Sequence, residues 1–168
     1  ISGSGRGLGA SIAKSFVNSG YKVAINYYKS KEKAEKLAQE LGENASAFCA
    51  DVSDMDQVKN MIEEIETKFN QSPSILVNNA MTQYVFNGDE RKFADEISWD
   101  EISQHLDVTL KGSLNLIQAL IPSMKENSHG RIINIGTNLV QNPVVPYHDY
   151  TIAKAALLGL TRTFAKDL

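Results

Sequence analysis

A single cysteine, Cys49, leaves no partner for a disulfide within these 168 residues. A reducing, cytoplasmic setting is therefore expected. Its neighbours Ala47, Phe48 and Ala50 mark Cys49 as a buried strand position. No apolar run approaches the roughly 20 residues that a bilayer-crossing helix needs, and no basic-then-apolar leader opens the chain. A net charge of −3 argues against a nucleic acid or an anionic membrane as partner. The histidines His105, His129 and His148 stand apart without ligand-like spacing, so no metal site is expected. Linkers, repeats and low-complexity stretches are absent too, which points to one domain over residues 1–168 with a sizeable core.

What is present is an alternation of strand and helix. Tyr21–Asn26, Ala45–Ala50, Ser74–Asn78 and Arg131–Ile135 are short and apolar, the last two being continuous runs of the kind buried on both sides of a parallel sheet. Between them, Ser30–Leu41 is amphipathic and closed by Gly42. Met55–Phe69 carries Val58, Met61, Ile62 and Ile65 on one face behind a Ser53 or Asp54 cap. Thr82–Ile97 reads as a loop with some helix, Trp99–Lys125 as one long helix with Trp99 packed against it, and Tyr150–Leu168 as a further helix. The pattern predicts an α/β fold. Its sheet is parallel and doubly wound, Rossmann-like, with right-handed crossovers and helices on both faces in three α/β/α layers. Ile1 reads as the last residue of a first strand and Leu168 falls within a helix, so truncation is expected at both ends, with the start of the first strand and the carboxyl-terminal strands missing.

If Ile1 ends a strand, Ser2–Gly9 is the first strand-to-helix turn, where open α/β sheets bind their ligands. Gly3, Gly5, Gly7 and Gly9 remove side chains that would keep a phosphate from the backbone. The helix that follows offers free N–H groups and a partial positive charge to a pyrophosphate. No Lys-Ser/Thr pair follows the glycines, which excludes a P-loop. By itself this spacing does not separate a phosphate turn from an ordinary loop.

Three segments in order decide it. Ser2-Gly3-Ser4-Gly5-Arg6-Gly7-Leu8-Gly9, Asn78-Asn79-Ala80-Met81 and Tyr150-Thr151-Ile152-Ala153-Lys154 resemble the Thr-Gly-x-x-x-Gly-x-Gly, Asn-Asn-Ala-Gly and Tyr-x-x-x-Lys motifs of the short-chain dehydrogenase/reductase family. The resemblance spans the whole chain and is nearest to the 3-oxoacyl-(acyl-carrier-protein) reductase group. It implies that Ser2, Gly3, Ser4, Arg6, Gly7, Leu8 and Gly9 form a cofactor phosphate turn. Asp51 and Val52 would meet the adenine, and Asn78 and Ala80 would lie near the adenosine ribose.

The same resemblance assigns the reacting groups. Tyr150 and Lys154 stand i and i+4 on one helix face. A nearby ammonium stabilises phenolate, so Tyr150 would exchange a proton with the substrate oxygen while hydride moves at carbon. Lys154 would also hold the nicotinamide ribose. Thr137 takes the place of the family's serine, thirteen residues before the tyrosine, and keeps its hydroxyl. Thr109 takes the place of an asparagine that arranges a water beside the lysine. Met81 replaces the last glycine of Asn-Asn-Ala-Gly.

The cofactor expected is NADPH in preference to NADH. No carboxylate stands after Ile25-Asn26; Tyr27 occupies the place where one would bond a ribose 2′-hydroxyl. Arg6, Lys29 and Ser30 suit a 2′-phosphate instead. The expected activity is reduction of a ketone, a 3-oxoacyl thioester, with Tyr150 as proton donor. A dinucleotide-binding sensor or scaffold with little turnover is the rival that Thr109, Thr137 and Met81 motivate. Tyr147 and His148, just before Tyr150, are read as surface residues, with a place at the substrate mouth as the alternative. A homotetramer is implied, with Leu110, Leu114, Ile117, Leu120, Ala156, Leu160 and Phe164 serving either the core or a subunit contact.

Overall fold

The computed structural model describes residues 1–168. Strands β1 (Val23–Tyr27), β2 (Ala45–Cys49), β3 (Ile75–Asn78) and β4 (Arg131–Asn134) alternate with helices. The helices are α1 (Gly7–Asn18), α2 (Lys31–Leu41), α3 (Met55–Phe69), α4 (Trp99–Leu106), α5 (Gly112–Glu126) and α6 (His148–Asp167). β1 pairs in parallel with β2, Val23 opposite Ala45, and β3 in parallel with β4, Ile75 opposite Arg131. Ile1–Ser4 joins the two pairs. Asn26 N donates to Ile1 O at 3.2 Å and Ser4 N to Asn26 O at 2.9 Å, while Ser2 N donates to Val77 O at 3.0 Å. The spatial order is therefore β2, β1, Ile1–Ser4, β3, β4, the order of a doubly wound sheet whose first strand lies in the middle.

Period-two alternation along β1 builds the two faces. Val23, Ile25 and Tyr27 enter a cluster with Ala13 of α1 and Ala34 and Leu37 of α2. Ala24 faces the other way, onto the larger cluster of Phe48, Val58, Ile65, Ile117 and Leu120. Sheet and helices thus form the α/β/α sandwich. Local signals set the helix ends: Asp54 Oδ1 accepts from the N–H groups of Asp56 and Gln57 at the start of α3, and Gly42 closes α2 at φ 72°.

Several expectations need correction. Arg131–Ile135 is not buried on both sides: β4 pairs with β3 alone, and Ile133 is exposed. Trp99–Lys125 is not one α-helix, because a π-helical turn, Asp107–Lys111, separates α4 from α5. Just past that turn, Gly112 lies so close to Val52 that a Cβ there would stand 2.6 Å from Cγ2. Trp99 heads α4 and is exposed rather than packed. Thr82–Ile97 contains no helix. Cys49 is exposed, since β2 is the edge strand and its last residue faces outward. Tyr147 is buried among aromatic rings. Ile117 and Leu120 belong to the core, so they offer nothing to a partner.

The turn before α1 is as tight as its glycines allow. A Cβ on Gly9 would lie 2.8 Å from Gly3 O and from Ser4 Cα, and 2.6 Å from Asn79 Nδ2. Two of those atoms are backbone and have no rotamer to escape into. Gly9→Ala should cost about 1–3 kcal/mol of stability by overpacking, read from urea unfolding midpoints. An unchanged midpoint would show that the turn is looser than described.

Candidate active site

Asn79 ties the glycine turn to the end of β3. Its Nδ2 donates to Ser2 O at 3.0 Å and Gly3 O at 3.1 Å, and Ser2 Oγ accepts from the N–H groups of Asn79 and Ala80 at 3.0 Å. On the other side, Gly3 N donates to Asn26 Oδ1 at 3.0 Å. Ser4 is fully buried, with Oγ donating to Ile1 O, so the turn presents backbone there. Neither Asn26 nor Asn79 was singled out from the sequence. The duplicated asparagine in Asn78-Asn79 was the available signal for the second.

At α1 the chain is open. Arg6 occupies the N-cap position with no side-chain cap, which leaves the N–H groups of Gly7, Leu8 and Gly9 without intrahelical acceptors. Gly7 has φ 57° and nothing within 4 Å of where a Cβ would stand. Leu8 and Arg6 are exposed. Gly5 packs against the start of α2, its would-be Cβ 3.1 Å from Ser30 Oγ, so the turn adjoins the end of β1. Tyr27, expected there, has its side chain in the α1–α2 cluster. The exposed residues at that point are Tyr28 and Lys29, with Lys29 Nζ 5.3 Å from the Tyr28 ring centre. Asp51 Oδ1 accepts from Ser53 N at 2.9 Å and Ser53 Oγ at 2.7 Å, forming a turn of its own. The Val52 side chain is buried, and its carbonyl accepts from Asn115 Nδ2.

The second group of residues comes from β4 and α6. Lys154 is buried and its Nζ donates to Ile135 O at 2.5 Å, just past the end of β4; burial pushes its pKa down. Its Nζ is 6.0 Å from the centre of the Tyr150 ring. Thr137 follows Ile135, and its Oγ1 accepts from Leu139 N at 3.3 Å, so the hydroxyl proton is free to donate elsewhere. Thr109 is buried in the π turn, and its carbonyl accepts from Ser113 Oγ at 2.7 Å.

These groups share one edge of the sheet. Ile135 N donates to Asn78 O at 3.0 Å, so the carboxyl ends of β3 and β4 lie side by side. The glycine turn is bonded to the first and Lys154 to the second. Asn78 Nδ2 donates to Asn134 Oδ1 at 2.8 Å, while its own Oδ1 is buried without a partner. An uncapped helix start, an open Gly7 and an unpaired acceptor on the carboxyl edge fit a bound dinucleotide. A hollow lined by Lys22, Ile65, Phe69, Pro73 and Leu120 lies at the opposite, amino-terminal ends of the strands and contains neither Tyr150 nor Lys154.

A further cluster escaped sequence reading because its members are far apart in the chain. His105 Nε2 lies 3.3 Å from Asp149 Oδ2, and Thr82 Oγ1 lies 2.8 Å from Nε2 and 3.0 Å from Nδ1 of the same ring. With its proton on Nε2 the ring can donate to Asp149. Tyr84 Oη donates to Asp149 Oδ1 at 3.0 Å; burial, then this bond, push the Tyr84 pKa up. For His105, burial lowers the pKa most, Asp149 opposes and Lys154 adds to the lowering. A depressed histidine pKa favours the fold above the unfolded pKa of about 6.5 and ceases to do so as pH falls through the folded value. His105→Gln should accordingly lose less stability than the unmodified protein between about pH 7 and 5. Identical urea midpoints across that range would show that His105 does not titrate in the fold.

The comparisons agree with this geometry. The family model described as short chain dehydrogenase matches residues 1–168. The chain is 38% identical over 173 residues to a 3-oxoacyl-(acyl-carrier-protein) reductase of Staphylococcus aureus, covering 100% of the chain and 67% of that protein. It is 29% identical to NADPH-dependent aldehyde reductase 2, chloroplastic, of Arabidopsis thaliana, spanning 65% of that protein. A gluconate 5-dehydrogenase from Burkholderia cenocepacia, solved with NADP and tartrate, superposes with a TM-score of 0.86 at 31% identity, covering 99% of the chain and 64% of that one. A serine dehydrogenase from Escherichia coli superposes at 0.87 with 27% identity, covering 99% and 74%. The chain thus spans about two thirds of the length of the curated relatives it matches. With the three motifs meeting on one sheet edge and the family model matched from end to end, the chain belongs to the short-chain dehydrogenase family.

Proposed function

We propose that these residues form the cofactor and catalytic region of an NADPH-dependent carbonyl reductase whose substrate is a 3-oxoacyl thioester. The observation that carries the reading is the shared carboxyl edge, where the open start of α1 and the buried Lys154 beside Tyr150 meet through Asn79, Asn78 and Ile135. The NADP named with the Burkholderia dehydrogenase supports the cofactor, as do exposed Arg6 and Lys29 where a 2′-phosphate would lie. The Staphylococcus reductase supports the substrate class. So does Phe86, half-exposed and edge-on to Tyr150 at 5.1 Å, an apolar lip beside the reacting hydroxyl. A homotetramer built on α5 and α6 belongs to the same proposal.

The backbone N–H groups of Gly7, Leu8 and Gly9 would hold the pyrophosphate, with Lys154 on the nicotinamide ribose. NADPH supplies the hydride when bound. Tyr150 holds the proton that the carbonyl oxygen takes up, and the Thr137 hydroxyl hydrogen-bonds the same oxygen as charge gathers there. The Lys154 ammonium, kept from water and pinned to Ile135 O, favours the phenolate left behind.

The test is a steady-state assay on acetoacetyl thioesters and simple ketones, following cofactor absorbance. NADPH should be used more efficiently than NADH, and Tyr150→Phe should lower turnover by about 10²–10⁴-fold with NADPH binding nearly intact. Full activity in that variant would remove Tyr150 from the reaction. Tight NADPH binding with no turnover on any substrate would favour a sensor or scaffold.

A further inference from the structure

Building on the reductase reading, we propose that Asp149 is a positioning residue for Tyr150 and that His105 and Tyr84 hold it in place. Asp149 lies in the first turn of α6, directly before Tyr150. Its Oδ1 accepts from the Tyr150 N–H at 2.8 Å and from Tyr84 Oη at 3.0 Å. Its Oδ2 faces His105 Nε2 at 3.3 Å. One carboxylate thus gathers the loop after β3, helix α4 and helix α6 around the reacting tyrosine.

Tyr150 is held twice by this arrangement. Its backbone is fixed where Asp149 takes up an N–H of the first helical turn, a donor without an intrahelical acceptor. Its ring lies against Tyr84, with centroids 5.8 Å apart and planes 23° from parallel. Tyr84 is itself anchored to the same oxygen. Phe86 and Tyr147 pack edge-on around Tyr84, and Phe86 also meets Tyr150. Lys154, on the next turn of α6, is pinned independently to β4 through Ile135 O. The Tyr150 ring is therefore flanked by two anchored side chains, Tyr84 and Lys154.

The burial of the cluster argues against a simple surface cap. The Asp149 side chain is 13% exposed and that of His105 6%. A carboxylate so enclosed is costly unless donors surround it, and here Tyr84, His105 and the Tyr150 N–H do so. Proton transfer needs the hydroxyl within hydrogen-bond reach of the substrate oxygen, and a displacement near 1 Å costs about 10²-fold in rate. Committing Tyr84 and His105 to one helix start is consistent with such a tolerance.

Three variants separate positioning from mere stabilisation. Asp149→Ala removes both oxygens, Asp149→Asn keeps an acceptor at Oδ1, and Tyr84→Phe cuts the ring's anchor without touching α6. Asp149→Ala and Tyr84→Phe should lower kcat by about 10–100-fold, with KM for the thioester and the NADPH Kd changed less than about twofold. Asp149→Asn should recover most of the loss. Fluorine NMR of protein labelled with 3-fluorotyrosine gives a second readout that needs no turnover, with the Tyr150 line assigned by its disappearance in Tyr150→Phe. That line should broaden or shift toward the free-tyrosine position in Tyr84→Phe and Asp149→Ala. Wild-type kcat in both variants, or an unchanged Tyr150 line in both, overturns the positioning role. Failure of the unmodified protein to reduce any thioester or ketone would sink the reductase reading instead, and the fluorine spectra would still decide the placement of Tyr150.

Discussion

Two hydrogen bonds from one side chain, Asn79 Nδ2 to Ser2 O and Gly3 O, join stretches of chain 77 and 76 positions apart. They make the glycine turn and the carboxyl end of β3 a single edge. Gly9 makes the joint possible, because any side chain there would displace Asn79 or the backbone of Gly3 and Ser4. The helix behind the turn is then left facing solvent with its first N–H groups unspent, a ready seat for a phosphate. Parallel pairing of β3 with β4 extends the edge to Ile135, whose carbonyl holds Lys154. Each step is anchored on a backbone carbonyl, so Lys154 takes its position from the sheet.

Electrostatics on that edge are uneven. Lys154 is nearly enclosed and its charged form is disfavoured by burial. Asp149 and His105 form a second enclosed pair, with Asp149 little more than a helical turn away along α6. Buried charges of this kind add little stability by themselves. In the proposed reductase their retention would serve a fixed phenol, as a proton-transferring tyrosine requires.

Much of this was legible in the sequence. Met55–Phe69 and its Asp54 cap, the continuous strand runs and the turn before α1 all carry local signals of period, capping or glycine spacing, and the structure places them within a residue or two. The π turn was not legible. Its extra residue has no local signal in Trp99–Lys125, and Gly112 just beyond it packs against Val52 from a distant stretch of chain. Nor was the Tyr84–His105–Asp149 cluster. Asp149 sits beside Tyr150 in the chain, but Tyr84 and His105 are 65 and 23 positions from the partners they bond, Asp149 and Thr82 respectively. Cys49 shows the converse error: an apolar neighbourhood in sequence says nothing about which strand will be at the edge.

The central claim, that amino-terminal turn and phenol–amine pair serve one dinucleotide, is tested most directly by diffraction from crystals of the protein grown with NADPH. The account predicts density for the pyrophosphate against the N–H groups of Gly7, Leu8 and Gly9, with the nicotinamide ribose on Lys154 and its ring beside Tyr150. A dinucleotide seated away from α1, or one whose nicotinamide end points away from Tyr150, would contradict it.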